Sequence, residues 1–440
     1  MALTIHGALL RAAVLGSAAL LLAGCGGDGD RDQGRTSPAT GLTKGARPAP
    51  PPQAAQSAKG RVTLCAGDDP SGAQADALRR FNRRFASRGL EARLLELGTA
   101  SGEQRDRLIR RLDARSRACD VLALDVTWTA EFATQRWLLD MTDYVERRKR
   151  EFLPATLATA KFDGEKYWAV PKEADAGFLY YRSDQLDSIP PTWQAVYDEA
   201  RQADGIVYPG SGGEALTVSF LEMAHAAGGR VLSDDGKHAA IDSEENARAL
   251  QLMVDGIKTR AAPKAVTGST QADARRAFDA GRATFLRDWP AAYASAGRSP
   301  RVRATFKIAP FPPFAGGRAS GVLGGRNLAI SAFSDDPQAA LALADALTSP
   351  AEVARAAEQH GIGSPLAATY DDPAVRDGLP YADELHSAIR QAEPRPVTPV
   401  YAAVSAAIAR NVNLALAGQQ SPQDALSRAA DQIDEALRGL

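Results

Sequence analysis

Apolar residues in the first third of the chain recur in short runs separated by amphipathic stretches. Arg61–Ala66 reads as a strand, and the turn Gly67-Asp68-Asp69-Pro70-Ser71 leads into a helix with Leu78, Phe81 and Phe85 on one face. Glu91–Leu97 reads as a second strand. Ser101-Gly102-Glu103-Gln104 has the spacing of a capping box and opens a helix to about Arg115. Cys119–Asp125 is then a third strand, whose apolar run Val121–Leu124 between aspartates suits a strand covered on both faces. Two strand–helix–strand units in succession predict a parallel sheet. Asp125 falls at the carboxyl end of that strand, where open α/β sheets collect ligands, and Thr127 is placed to cap a helix carrying Trp128, Glu131 and Phe132. The competing reading makes Asp125 a cap and Trp128 core.

Beyond Thr142 the pattern turns helical, with Tyr144–Phe152 at its centre, and Asp163-Gly164 marks a hairpin. Phe178–Arg182 is a further strand. Thr192 caps a helix to about Gln202, Gly205–Tyr208 is a short strand, and Gly213–Ala227 is a largely buried helix. Ser233–Gly236 sits in a second hairpin, Ser243 caps a helix to about Lys258, and Ala274–Ala280 is helix. Strands follow at Ala283–Leu286, Ala304–Ala309 and Val322–Ile330, and the remainder is helical. The chain has 440 residues, which suits two domains, and its composition of 45% hydrophobic and 24% charged residues is that of a globular protein. A net charge of −1 gives no basis for a nucleic-acid partner.

The N-terminus reads as an export signal. A basic region ending at Arg11 and an apolar stretch Ala12–Leu22, too short for a bilayer span of about 20 residues, lead to Leu22-Ala23-Gly24-Cys25. That ending resembles the lipobox of bacterial lipoproteins, which makes residues 1–24 a signal peptide and Cys25 the lipidated N-terminus. Residues 25–60, rich in Gly and Pro with no aromatic residue, read as a disordered tether. Of the other two cysteines, Cys65 and Cys119 fall in predicted strands of an exported chain, so either a disulfide or two buried thiols fits.

Signals for catalysis are missing. The five histidines show no paired metal spacing, no serine lies in Gly-x-Ser-x-Gly, and no phosphate loop occurs. No metal and no cofactor is expected.

Five stretches occur in order: Asp120–Thr142, Tyr167–Asp184, Gly281–Tyr293, Gly321–Ala332 and Pro394–Tyr401. Together, behind a lipobox, they resemble the solute-binding proteins of carbohydrate ABC transporters, the group with maltose- and trehalose-binding lipoproteins. The likeness runs from about Arg61 to the C-terminus. It implies an α/β, two-lobed periplasmic-binding-protein-like fold (type II) with the ligand cleft between lobes. Mapped here, the first lobe is 61–170 plus 290–333 and the second 176–288 plus 334–440. The hinge is at 171–175 and near 289 and 333. The resemblance implies a monomer without enzymatic activity. It would be exported and lipid-anchored on the outer face of the cytoplasmic membrane. It would capture a disaccharide or short oligosaccharide, such as trehalose or maltose, and deliver it to the ABC permease transmembrane subunits. Alternatives are a secreted carbohydrate-active enzyme and a sensory or adhesion lipoprotein on the same fold.

Sugar hydroxyls in a closed cleft need charged donors and acceptors, and the apolar face of the ring needs an aromatic platform. By resemblance, Asp125 and Asp175 would take hydroxyls, Trp289 would be the platform, and Arg395 would reach in from the C-terminal region. Asp69 is a weaker candidate that serves equally as a helix cap. Gly325 closes the Gly324-Gly325 pair, and Arg326 stands after it where many relatives carry an aromatic residue. If Arg326 faces the cleft, a more polar or acidic ligand is implied; if it points to solvent, the departure is without meaning.

Overall fold

The computed structural model describes residues 41–440. Two β-sheets, each with its own apolar core, organise the chain, and long antiparallel strands connect them. The first sheet contains β1 (Gly60–Ala66), β2 (Leu90–Glu96), β3 (Val121–Asp125), β4 (Val170–Ala176), β9 (Gly321–Ile330) and β10 (Ala392–Glu393). Its order is β10-β9-β3-β1-β2, with β4 also on β9; β1 runs parallel to β2 and β3 while β9 is antiparallel to β3 and β4. The second sheet contains β5 (Phe178–Arg182), β6 (Ile206–Val207), β7 (Phe285–Asp288) and β8 (Phe306–Ala309), in the order β6-β7-β5-β8.

Local chemistry accounts for most of these elements. Leu78, Phe81 and Phe85 form the buried face of the helix Ala73–Phe85, as their spacing predicts. Thr192 and Ser243 cap their helices by accepting from Ala195 N and Asn246 N. The Asp163-Gly164 turn has positive φ at both residues, 61° and 81°, as a tight hairpin requires. Two expected caps are absent. Gln104 does not close a box with Ser101, because its amide donates to the carbonyls of Gly98 (2.9 Å) and Thr99 (3.2 Å). Thr127 does not cap a helix; its amide and hydroxyl both donate to Asp125 Oδ1, and the helix starts at Thr129. The helical centre expected at Tyr144–Phe152 is a short helix, Thr142–Glu146, followed by one 3₁₀ turn.

Cys65 and Cys119 form a disulfide with a Cα–Cα distance of 5.6 Å, closing the alternative of two thiols. The signal peptide and Cys25 lie outside the described residues, but the end of the expected tether does not. Thr43 is fully buried, with its amide and hydroxyl on the Asp163 carboxylate, and Asp140 exchanges backbone hydrogen bonds with Arg47 and Ala49. Pro52–Ser57 is a 3₁₀ helix and Ala58 is buried in the first core. Residues 41–60 are therefore a packed strap, because loop carboxylates and backbone on the first lobe satisfy their polar groups.

Core membership also redraws the expected lobes. The helix Ala291–Arg298, with Phe311 and Phe314, packs in the second core, whereas the helix Pro337–Leu347 packs in the first. The physical reason is that the chain crosses within β9. Val322 and Leu323 belong to the second core and Leu328–Ile330 to the first. β4 crosses in the opposite sense, from Val170 in the first core to Ala174 and Ala176 in the second. The chain also passes from the first core to the second at Val353–Ala357, Leu366–Tyr370 and Val397–Val400.

Candidate functional site

At the carboxyl end of β3 the register brings three charged residues into one row. Asp125 lies opposite Arg326 of β9, and Arg326 lies opposite Glu173 of β4. Cross-strand partners share a face, so all three side chains stand on the same side of the sheet. One step along the same face, Asp175 lies opposite Gly324. Arg326 Nε stands 3.9 Å from Glu173, which also pairs with Lys172. Burial works against the charge of Glu173, yet those two cations hold its carboxyl below its ordinary value.

Trp289 follows β7 and lies over Gly324. A Cβ built on Gly324 would sit 2.9 Å from the indole and 3.5 Å from Asp175 Cβ, so only glycine lets the ring lie there. A Tyr180 hydroxyl donates to the Trp289 backbone carbonyl (2.9 Å), and the Arg287 guanidinium stands 4.7 Å from the ring centroid. Arg287 is itself buried and doubly hydrogen-bonded to Glu222, at 2.6 Å twice. Asp288 beside it is fully buried and accepts from Gln271 and Arg275. Asp175 lacks such support. Its Oδ1 is buried and has no hydrogen-bond partner. Burial, with Glu173 nearby, pushes its carboxyl up to about 8.

Arg395 lies between the lobes at 6% exposure. Its Nη1 donates to Glu214 Oε1 (2.5 Å) and its Nη2 to Asp125 Oδ1 (3.4 Å). Burial works to loosen its proton, but Asp125, Tyr401 and Glu214 together outweigh that and keep the proton bound more firmly than usual. Tyr401 donates to the same Glu214 oxygen at 2.7 Å.

The structure thus brings Asp125, Asp175, Trp289, Arg326 and Arg395 to neighbouring positions on one face and around its edge. Asp69 does something else. Its carboxylate accepts from the amides of Ser71 (3.0 Å) and Gln74 (2.8 Å) at the start of the helix Ala73–Phe85. Gly325 serves the backbone: its φ is +124° and a Cβ there would come within 2.2 Å of the Glu173 carbonyl, so β4 and β9 close up around it. Glu214, Glu222 and Arg287 were not singled out in the sequence. Glu214 follows a glycine-rich loop, Gly210–Gly213, the one local signal that marks it. Glu222 and Arg287 lie 65 residues apart and carry no local signal. Among the described residues no group of His, Cys, Asp and Glu is arranged to hold a metal ion.

Comparison with known proteins gives this geometry a family. Residues 83–354, more than half of the chain, match the family described as bacterial extracellular solute-binding protein. A probable ABC transporter-binding protein of Deinococcus radiodurans is 28% identical over 403 residues, covering 86% of this chain and 95% of that one. The maltose-bound MalE3 of T. maritima is 33% identical, superposes with a TM-score of 0.77, and is covered to 99% by 85% of this chain. The GacH receptor of Streptomyces glaucescens shares the fold at 21% identity, with a TM-score of 0.76, over 87% of this chain and 99% of its own. The architecture is accordingly the two-lobed one, and the chain belongs to the bacterial extracellular solute-binding protein family.

Proposed function

We propose that the protein captures a carbohydrate between its lobes by hinge closure and passes it to the transmembrane subunits of an ABC importer. The observation that carries the reading is the partly exposed Trp289 indole, seated on Gly324 beside Asp175 and on the face that also presents Asp125 and Arg326. An aromatic platform with carboxylates and a guanidinium around it supplies both contacts a sugar needs: ring stacking and charge-assisted hydrogen bonds to hydroxyls. The maltose in the MalE3 relative, at 33% identity, supports a disaccharide or short oligosaccharide. Ribitol and D-mannitol in more distant members show that the fold also accommodates polyols.

Mechanically, β4, β9 and the segments at 366–370 and 397–400 are the crossovers about which the lobes turn. A ligand touching Asp125 from the first lobe and Trp289 from the second favours the closed state by its differential affinity for it. The chemistry is binding and release, with no covalent step. In this reading the Leu22–Cys25 motif attaches the mature chain to the membrane through Cys25, as a monomer.

A thermal-shift screen of the purified protein against mono-, di- and trisaccharides, polyols and sugar acids tests it. A ligand at 100 times its Kd raises stability by about 2.7 kcal/mol. The expected result is a shift with one sugar class that Trp289→Ala abolishes; no shift with any carbohydrate from folded protein would refute it.

A further inference from the structure

We propose that Glu214 is a positioning residue that, through Arg395, orients Asp125 and latches the two lobes together before any ligand arrives. Glu214 opens the helix Glu214–Ala226, whose apolar residues lie in the second core. Asp125 ends β3 in the first sheet. Arg395 belongs to the crossover after β10 and bonds both, so the ion pairs span the cleft.

The two halves of the latch are not equal. Glu214 Oε1 accepts from Arg395 (2.5 Å) and Tyr401 (2.7 Å), and its Oε2 accepts from Ser405, whose hydroxyl also reaches Thr217 at 3.0 Å. Arg395 is thereby fixed to the second lobe. Its bond to Asp125 is the long one, 3.4 Å, and is the contact that hinge opening breaks. On the other side, Asp125 Oδ1 receives three donors: Arg395 Nη2, the Thr127 amide (3.0 Å) and the Thr127 hydroxyl (2.8 Å). Those donors fix the rotation of the carboxylate and leave Oδ2 as its ligand-facing acceptor. Closure buries nearly all of Arg395, and the bond to Asp125 offsets part of that desolvation. A latch made of ions is weakened by salt where it meets solvent, and both carboxylates are partly exposed.

The latch stands on geometry alone, whereas its effect on affinity rests on the carbohydrate reading, and the experiment separates the two. Small-angle X-ray scattering of ligand-free protein is recorded at about 0.05 M and about 1 M salt for the wild type, Glu214→Gln and Asp125→Asn. The expected result is a compact wild type at low salt whose radius of gyration grows at high salt, and variants already expanded and insensitive to salt. Glu214→Asp, which keeps the charge, restores part of the salt response. Asp125→Asn leaves the Glu214, Tyr401 and Ser405 network intact, so the test survives if Glu214→Gln folds poorly. Identical scattering for the folded variants and the wild type at both salts would overturn the latch, whatever the protein binds. In a second arm, maltose titrated into Glu214→Gln is expected to bind about tenfold more weakly than into the wild type, because less of the protein is binding-competent. Equal affinity would remove Glu214 from the site.

Discussion

Two arginine–glutamate pairs flank Trp289's side of the molecule and the cleft, and they do different things. Arg287 and Glu222 are 2% and 0% exposed, joined by two short bonds, and lie wholly within the second lobe. Arg395 and Glu214 are joined by one short bond, and the same guanidinium reaches Asp125 in the first lobe. Burial of the arginine is nearly the same in both. What separates them is connectivity: the first pair supports a platform inside one lobe, and the second ties two lobes that the proposed function has moving relative to each other. A buried ion pair is thus no guide to role until its partners are assigned to lobes.

Breaking the enclosed pair has the largest expected effect. Arg287→Ala strands Glu222, whose carboxyl burial already pushes up against the pull of Arg287, and is expected to cost about 3–5 kcal/mol of stability. Chemical denaturation measures this. Replacing both partners with apolar residues of similar volume, Arg287→Met with Glu222→Leu, is expected to recover most of the loss. No recovery would mean that the pair, not the packing, holds Trp289.

Asp175 sharpens the contrast, being a carboxylate beside Trp289 on the crossover strand β4 without an arginine bonded to it. Its carboxyl lies at about 8 in the fold against an ordinary 3.8, so the folded chain keeps a proton that the unfolded chain has released across that interval. Stability therefore falls as pH rises from about 4 towards 8. Asp175→Asn removes the titration, and between pH 5 and pH 8 its stability relative to the wild type is expected to rise by about 3–4 kcal/mol. Parallel pH profiles of the two melting curves would show that Asp175 binds its proton equally in the folded and unfolded chain, against the raised value.

The straddling pair has the smallest expected effect on stability. Glu214 is 39% exposed at its side chain, so Glu214→Gln is expected to change unfolding free energy by about 1 kcal/mol or less, even as it opens the lobes. A large loss would make Glu214 an ordinary structural residue.

The sequence exposed these regions unevenly. Strands with continuous apolar runs, Val121–Leu124 and Phe178–Arg182, were legible because burial on both faces leaves a local mark. So were the caps Thr192 and Ser243, where the side chain bonds an amide three residues on. The capping box at Ser101 was misread because Gln104 found tertiary carbonyls instead. The strap at residues 41–60 looked too polar and proline-rich to order, and it does so by using Asp163 and Asp140 of another segment. Asp125 showed locally as a carboxylate at the end of an apolar strand, Trp289 and Arg395 came from likeness to a family, and Glu214 and the Glu222–Arg287 pair depend on partners 65 to 181 residues away. Where the chain crosses between lobes was likewise a property of β9's length rather than of any local pattern.

Tryptophan emission offers the most direct test of the cleft. Trp128, Trp137, Trp168 and Trp193 are buried in the two cores, whereas Trp289 is partly exposed, so a ligand stacking in the cleft changes chiefly its signal. The measurement is a fluorescence titration of the wild type and Trp289→Ala with the sugar that raises thermal stability most. The account predicts a saturable change in the wild type that disappears in the variant together with the affinity. Saturable binding of equal strength in both, with no change in emission, would place the ligand away from Trp289 and contradict it.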